Sequence, residues 1–529
     1  VRFQTENASR PESTGRWVIL AAILGSSITF IDGTVVNVAL PALQRELGAS
    51  VAGAQWIIES YMLMLASLIL VGGSLGDRLG RKRVFAAGVL LFALASIWCG
   101  LAPDITQLVI ARAAQGVGAA FLVPGSLALI SANFSQERRG RAIGTWSGFT
   151  SMAAGAGPVL GGWLIERFSW RWIFFINVPL AAAVLLILWT RVPESRDEQA
   201  RGHVDWLGAA LATLGLGGLV FGLIELNAPG TAGPRGAGSP ASPVVAASLI
   251  LGAAALAGFI WVEARQEQPM APLELFRSPT FTGANLLTLF LYAALGGLLF
   301  FLPFNLIQAQ GYSATAAGAA LSPFVLTMFL LSRWTGGLVD RYGSKIPLVI
   351  GPLVAACGFA LFGILGAEDG SYWKTIFPAV MVMSLGMAIS VAPLTKTVMG
   401  AVEERRAGVA SGINNAVSRV ASLLAVAVFG VVMLSRFSGS LDERLRGQSI
   451  SDDARTQILS RSGDLANLKI PDELNGETRK AVRNAIRESF AAGFRRVAFI
   501  AAGLAAASAL AAGFLIGGGG RRQTPGPGT

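Results

Sequence analysis

The sequence predicts an all-α integral membrane protein of 14 transmembrane helices, built as two six-helix pseudo-repeats with two helices inserted between them. Three observations carry this. First, 53% of the 529 residues are hydrophobic and 14% are charged, against about 45–50% and 25% in soluble domains. Second, apolar runs near the roughly 20 residues needed to cross a bilayer recur along almost the whole chain. Backbone groups in lipid must be satisfied within the segment, which selects helices. Third, two charged stretches occur twice. GSLGDRLGRK at 73–82 matches GGLVDRYGSK at 336–345, and ERRGRAIG at 137–144 matches ERRAGVASG at 404–412, at nearly the same separation. A repeated pair at a fixed separation is the mark of internal duplication.

The elements follow in order. A polar tail, 1–16, precedes an apolar run too long for a cleavable signal. The first domain, 17–191, holds spans at about 17–40, 54–75, 84–101, 106–130, 142–165 and 172–190. Residues 192–281 hold two inserted spans, at 206–226 and 244–262, joined by the flexible Gly/Pro-rich loop NAPGTAGPRGAGSPASP. The second domain, 282–516, holds spans at 282–308, 314–338, 346–365, 376–399, 408–434 and 497–516, and 517–529 is a tail. The charged echo follows span two and then span ten. An offset of eight is six plus two, so spans seven and eight are the insertion. Residues 435–491 read as a long loop on the outer side, with amphipathic helices lying at the surface.

Loop charge sets the orientation. Arg78, Arg81, Lys82 and Arg83, then Arg138, Arg139 and Arg141, then Arg341 and Lys345, then Arg405 and Arg406 fall on one side. The opposite loops hold Arg45, Arg167, Arg171, Arg235 and Lys374. The positive-inside rule places both termini in the cytoplasm, in what reads as a bacterial cell membrane. The net charge of +11 is then loop anchoring, and no nucleic-acid partner is expected. Cys99 and Cys357 fall inside apolar runs, so no structural disulfide is expected. One histidine, His203, builds no metal site. There is no GxxxxGK[ST] loop. Neither an enzyme, a nucleotide motor nor a cofactor is expected; the drive is an ion gradient.

The repeated loop carries more than anchoring charge. Gly73, Gly76 and Gly80 permit a tight turn and close helix approach, and Asp77 can pair with an arginine. With Arg78, Arg81, Lys82 and the second copy, Asp340, Arg341 and Gly343, it reads as a conformational latch. GSLGDRLGRKRV resembles the cytoplasmic loop signature of the major facilitator superfamily. LVIARAAQGVGAA at 108–120 resembles its fourth-helix pattern, with Arg112, Gln115, Gly116 and Gly118. GAGPVLGG at 155–162 resembles the fifth-helix pattern of its antiporters, with Gly155, Gly157, Pro158, Gly161 and Gly162. IDGTVVNVALP at 31–41 resembles the first-helix signature of the fourteen-span drug:proton antiporter branch; FLPFNLIQAQGYSATAAGAALSP and GVASGINNAVSRVAS also fit that branch. The resemblance covers almost the whole chain. Glu225 and Arg333 match no fixed pattern of the family.

Charges inside spans are the site candidates. Asp32 lies roughly 22 Å along span one at 1.5 Å per residue. A charge there costs at least ~2.5–3.5 kcal/mol on insertion scales. A carboxyl that gains and loses a proton suits proton carriage, and the resemblance implies that role for it; a helix–helix hydrogen bond is the structural alternative. Arg112 cannot lose its proton and needs a carboxylate, carbonyls or water, whether as a switch or as fixed glue. Glu59 in span two is either a second proton site or an interfacial residue, and Glu225 reads as interfacial. Pro158 removes a backbone bond, and the resemblance implies that its glycine-rich helix seals a path against leak. The second half holds no central acid. Its Arg333 and Arg419, with Asn37, Gln115, Asn305, Gln308 and Asn414, are the substrate-cavity candidates. That asymmetry weakens a dicationic-drug assignment.

The function expected is proton-coupled antiport, exporting hydrophobic or amphiphilic compounds such as drugs. The expected partners are a small-molecule substrate, protons and lipid, and the carrier is expected to be a monomer. An exporter of one lipid, siderophore or metabolite on the same scaffold is the alternative; a non-transporting scaffold or sensor is the remoter one.

Overall fold

The structure, a computed structural model, describes residues 12–196, 205–226, 243–266, 269, 271–366, 370–403, 406–448, 450–468, 470 and 476–517. His203, Arg235, Arg405, residues 227–242 and the outer parts of both tails lie outside these, as do the side chains of Arg139, Arg141 and Arg333. Fourteen membrane helices follow in order: α1 Glu12–Leu47, α2 Val51–Leu79, α3 Arg81–Leu101, α4 Ile105–Asn133, α5 Gln136–Arg167, α6 Asn177–Arg191, α7 Trp206–Glu225 and α8 Pro243–Glu263. Then come α9 Pro279–Phe304, α10 in two pieces (Ala314–Ala319 and Ser322–Thr335), α11 Lys345–Ile364, α12 Tyr372–Gly400, α13 Ala407–Arg446 and α14 Gly476–Leu515. Among the described residues 13 helices are long and apolar enough to cross a membrane. The remaining one is α5, whose glycines, serines and threonines lower its hydropathy.

Local chemistry sets the ends. Ser50, Asp104, Asp205 and Ser313 accept a backbone N–H three residues on and so cap α2, α4, α7 and α10. Gly80, between α2 and α3, has φ +111°, a conformation that favours glycine.

The duplication is visible as packing. In the first half α1 packs on α4, α5 and α6, α2 on α4, and α3 on α4 and α6. In the second half α9 packs on α12, α13 and α14, α10 on α12, and α11 on α12 and α14. Every pair recurs eight helices later. The halves meet where α5 packs on α10 and α2 on α13. The inserted α7 lies against both α2 and α13, over that second seam, and α8 packs on α7.

One expectation is corrected. Residues 435–491 are not a loop with helices lying flat. Residues 435–446 continue α13, and 476–496 continue α14, so both helices run 40 residues. At 1.5 Å per residue each is about 60 Å long, twice the hydrocarbon thickness. Their charged thirds project as a hairpin closed by Asp452–Ser460 and Ser462–Asn467. Ion pairs Arg444–Glu488 and Arg455–Asp442 brace it. Charge marked these residues as outside the membrane; helix continuation was invisible to an argument from hydropathy. The segment Ser462–Asn467 also touches α2, so the hairpin of the second half rests on the first. Leu465 in it is fully buried.

Candidate functional site

Five helices of the first half converge on Asp32. It is 0% exposed, and Arg112 is 1% exposed. Arg112 on α4 donates through Nη1 to the Asp32 carboxylate at 2.5 Å and to Gln115 Oε1 at 2.6 Å, and through Nε to the Ile57 carbonyl of α2 at 3.1 Å. Gln115 Nε2 donates to Asp32 at 2.8 Å, and Asn177 of α6 donates to it at 3.2 Å. Both amides also donate to Ser96 Oγ of α3. The Arg112 guanidinium stacks over the Tyr61 ring at 4.3 Å. Desolvating two charges costs several kcal/mol per ion, and pairing offsets this only when the remaining donors and lone pairs are also satisfied. Here α1, α2, α3, α4 and α6 together supply most of those partners, the buried Asn177 Oδ1 being left without one among the described residues.

Glu59 is also fully buried, which excludes an interfacial reading. It faces away from this network. Ile57 and Tyr61 of α2 turn to α4, whereas Gln55, one turn before Glu59, donates to the Val426 carbonyl of α13 at 2.9 Å. Both carboxylate oxygens of Glu59 lack a hydrogen bond. The structure therefore separates Glu59 from Asp32 and Arg112 and puts it at the seam between the halves.

The GAGPVLGG helix has two working faces. Gly157 and Gly161 lie against Thr34 and Val35 of α1; Gly155 and Gly162 lie against Val325, Ala314 and Thr315 of α10. Gly318 of α10 in turn lies against the Pro158 carbonyl. Pro158 has no N–H, which orphans the Ala154 carbonyl one turn earlier. Thr34 donates its hydroxyl to that carbonyl at 2.9 Å. Just beyond, the Glu166 carboxylate accepts from Thr315 N at 2.8 Å and Oγ1 at 2.6 Å. Burial pushes the Glu166 carboxyl up, but the Thr315, Ser313 and Ala314 donors outweigh it and hold it below its ordinary value. The stability this bond adds is complete above the usual carboxylate range and is lost as pH falls to the lowered value.

These contacts, with Gln308 donating to Gln44 at 3.1 Å, join the halves at the end remote from the repeated loops. Toward the loops the α5–α10 seam parts. Met152 and Phe329 continue the two contact faces, yet are 51% and 49% exposed. On the other seam, α2 and α13 stay close as far as Leu70 beside Gly412. Between the halves Gly33 of α1 is exposed, with no atom within 4 Å of where a Cβ would stand.

The repeated loops bond within their own halves in this state. Arg81 Nη2 pairs with Asp77 at 2.7 Å, and Lys396 pairs with Asp340 at 2.5 Å. Glu194, after α6, accepts from Lys82 N and Arg83 N and so caps α3; the sequence reading missed it.

The cavity candidates divide. Gln115 belongs to the Asp32 network. Asn305 is 1% exposed and donates to the Gly366 carbonyl, so it ties helix ends together. Gln308 lines a cavity of ≈ 320 Å3 with Arg479, Arg483 and Arg487 at the remote end. Asn414 of α13 donates to Asn285 and Thr288 of α9. Membrane amides look alike in sequence whether they line a path or join helices, and only the packing separates them. Asn37, one turn beyond the exposed Gly33, and Arg419, whose guanidinium stands over Phe30 of α1 at 6.0 Å, reach the central space.

Two like halves, pairing across two seams around a central space and holding a buried charge pair, define a transporter of the alternating-access kind. The chain belongs to the Major Facilitator Superfamily, whose sequence profile matches residues 22–426. It is similar to Multidrug resistance protein Stp of Mycobacterium tuberculosis, with 34% identity over 84% of this chain and 80% of that one. It is likewise 34% identical to the tetracenomycin C resistance and export protein of Streptomyces glaucescens, over 79% and 76% of the two chains. In fold it resembles a bacterial homologue of the human lysosomal transporter Spinster, with a TM-score of 0.63 at 18% identity over 95% and 98% of the chains.

Proposed function

We propose that the protein is a proton-coupled antiporter that exports hydrophobic or amphiphilic compounds, drugs among them, across the cytoplasmic membrane, with both termini inside. The observation that carries this is the Asp32–Arg112 pair: a carboxylate with no solvent exposure, held by donors from α4 and α6, which acceptors on α2 and α3 hold in turn. A proton arriving at Asp32 removes the charge that Arg112, Gln115 and Asn177 are arranged around. The clamp on α1 loosens, and α1 carries Thr34 and Val35, on which α5 rests. Protonation is thereby linked to the α5–α10 seam and to rocking of the halves. With the termini inside, the structure is the state closed on the outside, and the repeated loops latch the halves when they close on the inside. The names of the relatives support export of antibiotics as the substrate range.

The test uses purified protein in proteoliposomes containing an internal pH dye. Cationic, neutral and anionic amphiphiles should each be tried for substrate-dependent proton movement. Asp32→Asn should abolish that movement while leaving insertion and folding intact. Retained proton-driven transport in this variant would remove Asp32 from the mechanism.

A further inference from the structure

Two arginines lie deep among the helices of the two halves, and their surroundings differ. Arg112 has its carboxylate. Arg419 lies about 18 Å along α13 at 1.5 Å per residue, half-buried. Its contact is the Phe30 ring; among the described residues no hydrogen bond or ion pair reaches it. Three residues on, Ser422 donates to the Tyr292 carbonyl of α9 at 3.3 Å, which brings α9 beside this part of α13. One turn from Phe30 is Gly33, open to the central space. A guanidinium stays charged, and at this depth the charge is costly unless something offsets it. A ring face supplies part of that. The five N–H donors remain for a guest, and a guanidinium fork matches the planar oxygens of an acid.

We propose that Arg419 and Phe30 form the recognition point for the acidic group of an aromatic amphiphile, so that the exported class is aromatic anions. This rests on the antiporter reading above. The acid would lie on the Arg419 fork and the ring system along Phe30 and Tyr292, where offset or edge contacts between rings are favourable. Phe30 stands two residues before Asp32 on α1, so the guest lies against the helix that carries the proton site. Protonating Asp32 makes the cavity more positive. Exchange with an anion therefore runs through helix movement and not through competition of charges.

Two probes share one ring system: 1-anilinonaphthalene-8-sulfonate, an anion, and N-phenyl-1-naphthylamine, which lacks the sulfonate. The quantity measured is the ratio of their kcat/KM values in proteoliposomes under an imposed pH gradient. Arg419→Gln should lower that ratio about tenfold, the scale of one charged hydrogen bond. Arg419→Lys, which keeps the charge but not the fork, should give a ratio between those of wild type and Arg419→Gln. An unchanged ratio in Arg419→Gln would overturn the assignment. So would wild-type protein that moves ethidium and the neutral probe with proton exchange but not the sulfonate; that result would leave the antiporter reading standing. Movement of none of the three, with no proton flux, overturns both.

Discussion

At the residue scale the two members of the buried pair are not equivalent. Asp32→Asn leaves Arg112 with the Ile57 carbonyl, Gln115 and the Tyr61 ring. Arg112→Met leaves a carboxylate buried with two neutral amides and no counter-charge. Breaking a buried pair by removing one partner costs roughly 3–5 kcal/mol. Arg112→Met should therefore be much the less stable of the two, by thermal unfolding in detergent, and Arg112→Met with Asp32→Asn should recover most of the loss. Strictly additive losses in the double variant would contradict a charged pair. Asp32 and Arg112 were legible because lone charges in apolar runs are conspicuous. Their contact was a natural pairing but not a readable one, and Ser96 and Asn177 were not readable at all. Small polar residues are common in membrane helices, and what brings Asn177 to the carboxylate, and Ser96 to the amides that hold it, is the packing of α3 on α4 and α6.

At the scale of elements, the α5–α10 seam is a contact of backbone on backbone. A Cβ on Gly318 would stand 2.1 Å from the Pro158 carbonyl oxygen, and one on Gly162 would stand 2.5 Å from that of Ala314. Neither neighbour is a flexible side chain that can swing aside. Gly318→Val should hold the remote end apart and populate the opposite access state. Spin labels on Arg167 and Ala319, both exposed, in a background without Cys99 and Cys357, should report a longer distance in the variant. An unchanged distance distribution would sink the idea that closure needs this glycine. GAGPVLGG was visible as a kinked, small-residue helix, and the partner of each face followed from the fold. Gly318 was hidden because one glycine in an alanine-rich stretch carries no signal of its own. The projecting ends of α13 and α14 were hidden for the opposite reason: their charges made helices continuous with the membrane spans read as separate helices lying at the surface.

At the scale of the molecule, the repeat was the most legible feature, since the offset of the charged echoes fixed the number of inserted helices before any packing was known. Which end of the bundle closes was not legible, because small and apolar residues recur toward both ends of each seam. The proposed orientation and substrate class together set the electrical work of the cycle. With one proton inward per substrate outward, a neutral substrate moves one charge, a monovalent cation none and a monovalent anion two. Each charge is worth about 2.3 kcal/mol per 100 mV, so a potential of that size contributes about 4.6 kcal/mol to export of an anion and about 2.3 kcal/mol to export of a neutral compound. Proteoliposomes clamped with valinomycin and potassium can be held at fixed proton and substrate gradients while the potential is varied. The potential that halts exchange should be half as large for 1-anilinonaphthalene-8-sulfonate as for N-phenyl-1-naphthylamine. Equal halting potentials would contradict export of the anion by one-for-one exchange with a proton.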